Sequence, residues 1–200
     1  MIDTNNPGRR GRPRRFDPSQ GVTTAQHLFH TRGYDAVGVA EITSALGINP
    51  PSFYAAFGSK AGLYAMVLAR YSETKAVPFN ELLRPDRPVA ECLTAVLEEA
   101  ARRYTADPPA AGCLVLEGIG CDDPEARGAA CAYHKAAEDM IRNYIAAHHP
   151  DVAGRLADFV SATMAGLSAQ ARNGVELDRL LATARLAGRA LTHELSVWAP

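Results

Sequence analysis

Residues 47 to 60 read GINPPSFYAAFGSK, and their punctuation constrains the fold more than any other stretch of the chain. Gly47 suits the left-handed backbone that ends a helix, and Pro is tolerated in the first turn of the next one. Pro51 disfavours helical backbone at Pro50, which predicts a helix starting at Pro51, give or take one residue. Gly58 then breaks the helix, and Ser59 is placed to cap another that begins at Lys60. Phe53 and Phe57 share an inward face, while Ser52, Ala55 and Ala56 project elsewhere with Tyr54 between them. A helix this short cannot carry a core of its own. It must lean on its neighbours.

Those neighbours are legible. Asp17-Pro18-Ser19-Gln20 offers a capping carboxylate, Pro at the first helical position and Gln at the third. Ala25, Leu28 and Phe29 follow at helical spacing until Gly33, and a second helix fits Val39 to Leu46 with Val39, Ile42 and Leu46 on one face. Helix, Gly-containing turn and short helix together make the helix-turn-helix pattern, whose second helix enters the DNA major groove. Small side chains there let the backbone approach the duplex closely.

Charge divides along the chain. Residues 1–75 hold nine Lys and Arg against five Asp and Glu, whereas residues 76–200 hold twelve against seventeen. A basic module for a polyanion and a near-neutral body with a different role fit that asymmetry. Five arginines crowd into GRRGRPRR, and on a Gly/Pro arm they suit phosphate contact or minor-groove insertion. A solvated tail is the plainer reading of the same segment. The N-terminus is polar and Arg-rich without a signal-peptide pattern, and the four cysteines lack CxxC spacing, so reduced thiols in a cytoplasm are expected.

The run AQHLFHTRGYDAVGVAEITSALGINPPSFYAAFGSKAGLYAMVL, behind the arginine arm, resembles the N-terminal domain of the TetR family of transcriptional repressors over about residues 15–68. Ala25, Phe29, Gly33, Tyr34, Ile42, Gly47, Tyr54, Phe57, Lys60 and Leu63 are among the residues that carry it. Gly38 departs from the family pattern where a Ser or Thr commonly caps the second helix, and Ala40, Pro50 and Pro51 replace residues able to reach DNA. The resemblance implies an all-α fold: a basic arm at 1–15, a helix-turn-helix DNA-binding domain at 16–60, a connecting helix at 61–76, and a helical effector-binding and dimerisation domain at 77–200. It implies DNA contacts from Arg12, Arg14, Arg15, Asn49, Pro50, Ser52, Tyr54, Ala55 and Lys60. Tyr54 and Lys60 are expected on phosphate, and Ala55 near a thymine methyl.

Beyond Pro78, Pro85 and Pro88, helical patterns occupy Val89–Ala106, Pro124–His148, Asp151–Asn173 and Asp178–Val197, with a short apolar segment at Cys113–Gly120. The stripes Leu156, Phe159, Val160, Met164, Leu167 and Leu180, Ala184, Leu191, Leu195 either bury within one monomer or, as the resemblance implies, pair across a dimer axis. An effector pocket is expected among Met66, Tyr71, Tyr104, Cys113, Leu116, Tyr133 and Met164, residues that suit an apolar or aromatic ligand. Cys113 or Cys121 could instead act as a redox or electrophile sensor, and Cys121, Cys131 and His134 form a weak metal motif. No GxSxG, Walker A or dinucleotide fingerprint occurs, so neither an enzyme nor a cofactor is expected. The expected function is a homodimeric repressor that binds operator DNA and is released by a small molecule. The alternative is a small-molecule-binding helical protein whose DNA binding is vestigial.

Overall fold

The computed structural model describes residues 16–197, which form ten α-helices and two short 3-10 turns. Arg12, Arg14 and Arg15 lie outside the described residues. The helices are α1 Pro18–Arg32, α2 Val39–Leu46, α3 Pro50–Phe57, α4 Lys60–Thr74, α5 Phe79–Leu82, α6 Val89–Thr105, α7 Leu114–Gly118, α8 Pro124–Ala146, α9 Ala153–Arg172 and α10 Leu177–Val197.

Local chemistry sets the ends of the first four. Asp17 accepts from the backbone N–H of Ser19 at the start of α1, and Ser59 accepts from that of Gly62 at the start of α4. Gly47 adopts the left-handed conformation, φ 64° and ψ 32°, that lets α2 stop and α3 set off in a new direction. No side chain caps α2, because its N-cap is Gly38.

Two apolar clusters form the interior. The first joins Ala25 and Phe29 of α1, Ile42 of α2, Phe53 and Phe57 of α3 and Leu63, Tyr64 and Leu68 of α4 to Leu114 of α7 and Ala126 and Ala130 of α8. The second joins α6, the latter half of α8, α9 and α10 around Leu97, Ile141, Val160 and Leu191. Each fully buried Leu or Phe contributes about 1.5–3 kcal/mol relative to exposure. The 23-residue α8 reaches both clusters, with Ala126 and Ala130 in one and Ile141 and Ile145 in the other. Gly118 lets α7 wedge between α4 and α8, since a Cβ there would strike the Tyr64 hydroxyl and Ala130.

The structure corrects one expectation directly. Leu156, Val160, Met164, Leu167, Leu180, Ala184, Leu191 and Leu195 are buried within the single chain, and of that set only Phe159 stands exposed. Periodicity identifies a stripe that needs burial, but α6 and α8 of the same chain cover it. Smaller differences concern the ends of elements. Helix α3 begins at Pro50, α4 ends at Thr74, α8 ends at Ala146, and a 3-10 turn at Pro150–Val152 precedes α9.

Candidate functional site

The surface of α3 is presented by what lies beneath it. Phe53 and Phe57 are buried, Phe57 meets Phe16 edge-on at 5.9 Å, and Ile42 of α2 is fully enclosed. With these as roots, Pro50, Pro51, Ser52, Tyr54 and Ala55 all face solvent. Tyr54 is 52% exposed, its ring edge-on to Phe53 at 5.3 Å, so its hydroxyl is free to meet a partner. Asn49 is exposed but partly engaged, because its Oδ1 accepts from the Ser52 N–H and caps α3. Its amide nitrogen keeps two donors for DNA.

Lys60 is the least free of the expected contacts. Its Nζ lies 3.9 Å from the centroid of the Tyr34 ring, a cation–π arrangement. Desolvation lowers its pKa, while Asp35 and Asp123 oppose that shift. Residues 16–60 carry Arg32 and Lys60 against Asp17, Asp35 and Glu41, and Arg32 pairs with Glu41. The described helix-turn-helix is therefore not basic. Most of the cationic charge available to a duplex belongs to the five arginines before Phe16.

A second set of residues joins this module to the rest of the chain. Tyr34 donates to Asp123 Oδ2 at 2.6 Å, and the Asp122 N–H donates to Asp35 Oδ2 at 3.0 Å. The Tyr34 bond holds the Asp123 carboxyl below its ordinary pKa, and burial pushes the Tyr34 phenol up. The buried His30 of α1 contacts the Gly112 carbonyl, and Arg172 of α9 donates to the carbonyls of His30 and Ala111. Sequence reasoning singled out Tyr34 only as a residue that carries the family resemblance, and gave none of these residues a junction role. Asp122-Asp123 ahead of Pro124 did carry a helix-capping signal, which the structure uses.

Between α4, α5, α6, α7, α8 and α9 lies a cavity of about 330 Å³. Tyr71, Tyr104, Cys113, Leu116, Tyr133 and Met164 line it. Met66 does not: it points to solvent from α4, 42% exposed. Unforeseen lining comes from Val77, Phe79, Met140 and the linked Glu138 and Ser161, whose hydroxyl donates to Glu138 Oε1 at 2.9 Å. Burial raises the Tyr71 and Tyr104 phenols well above their ordinary range, so both remain neutral hydrogen-bonding groups.

Cys121, Cys131 and His134 do not converge, and no group of three or more His, Cys, Asp and Glu is placed for a metal ion among the described residues. Burial, then Asp35 and Asp123, raises the Cys121 pKa, which keeps that thiol protonated and weakly reactive. Among the described residues, no helix is long and apolar enough to cross a membrane.

Comparison with known proteins decides the family. The model for bacterial regulatory proteins of the tetR family matches residues 22–67. The HTH-type transcriptional repressor BdcR of Escherichia coli (strain K12) is 56% identical over 181 residues, spanning 90% of this chain and 92% of BdcR. The chain belongs to the TetR family. It is a helix-turn-helix transcription regulator and not an enzyme. The repressor ComR of the same organism is 28% identical over 91% of this chain and 90% of its own. The solved structure of the TetR-family regulator CifR, a cysteine mutant complexed with 26-bp double-strand operator DNA, superposes with a TM-score of 0.80 at 33% identity, over 90% of this chain and 99% of that one.

Proposed function

We propose that this TetR-family regulator is a dimeric repressor that holds operator DNA until a small molecule enters the cavity beside α7. The observation that carries this reading is the pairing of a solvent-facing α3, rooted by Phe53 and Phe57, with a cavity that touches the same α4 and α7 that support it. Similarity to BdcR, a named repressor, and to CifR, solved on operator DNA, supports the DNA half.

The outward faces of α9 and α10 support the dimer. Phe159, Ala162, Gly166 and Ala169 line up on α9, and Leu186, Ala190, His193 and Val197 on α10, all exposed in the single chain. Phe159 is 40% and Leu186 60% exposed, flanked by small residues that permit close helix approach. A two-fold pairing of these faces would place two α3 helices on half-sites one DNA turn apart.

Release needs only that the ligand favour one of two spacings of α3 by a few kcal/mol. Genome-fragment selection with the purified protein, then titration of the enriched duplex at several salt concentrations, tests the reading. A palindromic fragment bound far above bulk DNA is the expected result. Uniform weak binding with a steep salt slope would leave only the arginine arm at work and favour the vestigial alternative.

A further inference from the structure

The cavity carries a charge pattern that bears on what it accepts. Glu138 and Glu81 line it, and among the described lining residues there is no Lys or Arg. Glu138 holds the Ser161 hydroxyl and lies 3.4 Å from His134 Nε2, and no permanent cation pairs with it among the described residues. The cations on the same helix are engaged elsewhere: Arg127 donates to the Cys121 and Asp122 carbonyls, Lys135 pairs with Asp139, and Arg142 with Asp139 and Asp158. Glu81 sits exposed on α5 at the edge of the same cavity.

The remaining wall is apolar or aromatic. Phe79, Leu116, Met140, Ile141 and Met164 supply hydrocarbon and thioether surface. Tyr71 and Tyr104 line it, each 2% exposed, with aromatic rings compatible with a cation and hydroxyls that stay neutral. An anion entering this space would lose hydration and meet two carboxylates with no Lys or Arg in the lining to offset them, since His134, the one basic side chain there among the described residues, already lies beside Glu138. An amine would find two carboxylates and three tyrosine rings.

We infer that the cavity selects a compact lipophilic cation, an aromatic or branched apolar body bearing one primary or secondary amine, and excludes carboxylates and phosphates of the same size. The ammonium pairs with Glu138 or Glu81, and the apolar body lies against Phe79, Leu116 and Met164. The inference rests on the cavity being the effector site proposed above, but it concerns which charge is admitted, and the two can fail separately.

Three shape-matched probes test it by calorimetry on the full chain: naphthalene-methanamine, naphthalene-methanol and naphthoate. The amine should bind about tenfold tighter than the alcohol, as a partly exposed ion pair warrants, and the naphthoate should not bind measurably. In the double variant Glu81→Gln, Glu138→Gln the amine should lose its advantage while the alcohol binds as before. The amide carbonyl that replaces the carboxylate at position 138 still accepts from Ser161, and an unchanged thermal midpoint verifies the fold. Ala137→Trp, which fills the cavity, should abolish amine binding. Naphthoate binding as tightly as the amine overturns the inference, as does an amine preference that survives either variant, or the failure of all three probes to bind. Selective amine binding that leaves operator affinity unchanged upholds the charge rule and removes the effector reading instead.

Discussion

His30 Nε2 lies 3.1 Å from the carbonyl oxygen of Gly112, tying α1 of the DNA-binding module to the loop that enters α7. A carbonyl can only accept, so the imidazole carries a proton on Nε2. The same loop is held from the other side, where the Cys113 N–H donates to Ser168 Oγ at 2.9 Å and Arg172 pairs with Glu117 at 2.9 Å. Cys113 lines the cavity. A ligand that shifts this loop therefore has a direct mechanical path to α1.

That contact has a pH signature. Burial lowers the His30 pKa from 6.5 to about 4, with Arg172 and Lys75 also lowering it and Asp107 and the Gly112 bond opposing. The unfolded chain takes up the proton first as pH falls, so His30 withdraws stability between about pH 6.5 and pH 4 and nothing more below that. Between pH 7 and pH 5 the loss should be on the order of 2 kcal/mol. Denaturant titrations of the wild type and His30→Gln check it: the variant should be less stable at pH 7, and the gap should narrow at pH 5. A gap independent of pH would mean that the imidazole does not titrate as described.

Tyr54 and Lys60 should separate two kinds of DNA contact. Tyr54→Phe removes an exposed hydroxyl with no intramolecular partner among the described residues, so folding should be unaffected and operator affinity should fall several-fold, about 1 kcal/mol. Lys60→Ala should weaken every duplex and reduce the salt slope by about one. Its loss from the Tyr34 face should also cost about 0.5–1 kcal/mol of stability. Filter binding across salt concentrations, with thermal melts beside it, reads all of these. Unchanged affinity in both variants would remove α3 and the start of α4 from the interface.

The helix-turn-helix is legible in the sequence because most of its boundaries carry a chemical signal, the uncapped start of α2 at Gly38 being the exception. Asp17, Gly47, Gly58 and Ser59 cap or end helices where their side chains or lack of one predict. A single residue changes one role: with α3 starting at Pro50, Asn49 becomes its cap, not simply a polar side chain offered to DNA. Met66 falls outside the cavity for a geometric reason. It lies five residues from Tyr71, roughly 140° around the helix, so the two cannot face one cavity. The α9 and α10 stripes show the larger limit. Periodicity reports that a face is buried and is silent on whether the cover comes from the same chain or another.

The four thiols should differ sharply in reactivity. Cys131 is exposed, Cys92 and Cys121 are buried, and Cys113 is half-buried at the cavity. Iodoacetamide followed by mass spectrometry should label Cys131 first and leave Cys92 and Cys121 unmodified until the chain unfolds. Rapid labelling of Cys121 in the folded protein would revive a sensor role that its raised pKa opposes.

Two glycines on neighbouring helices separate intrachain packing from assembly. At Gly188 of α10 an added Cβ would collide with the Thr94 side chain of α6, which is anchored to the Ala90 carbonyl. Gly188→Ala should therefore destabilise the protein by about 1–3 kcal/mol, with partial recovery in Gly188→Ala, Thr94→Ala. At Gly166 of α9 nothing lies within 4 Å of such a Cβ in the single chain. Helix propensity alone would make Gly166→Ala stabilising by up to about 1 kcal/mol. If Phe159, Gly166 and Leu186 face a second copy, Gly166→Arg or Phe159→Asp should instead give monomers by light scattering, with native helix content and poor operator binding. A Gly166→Arg protein that remained dimeric and bound its operator normally would exclude this face as the interface. The two helices would then serve only the monomer's core.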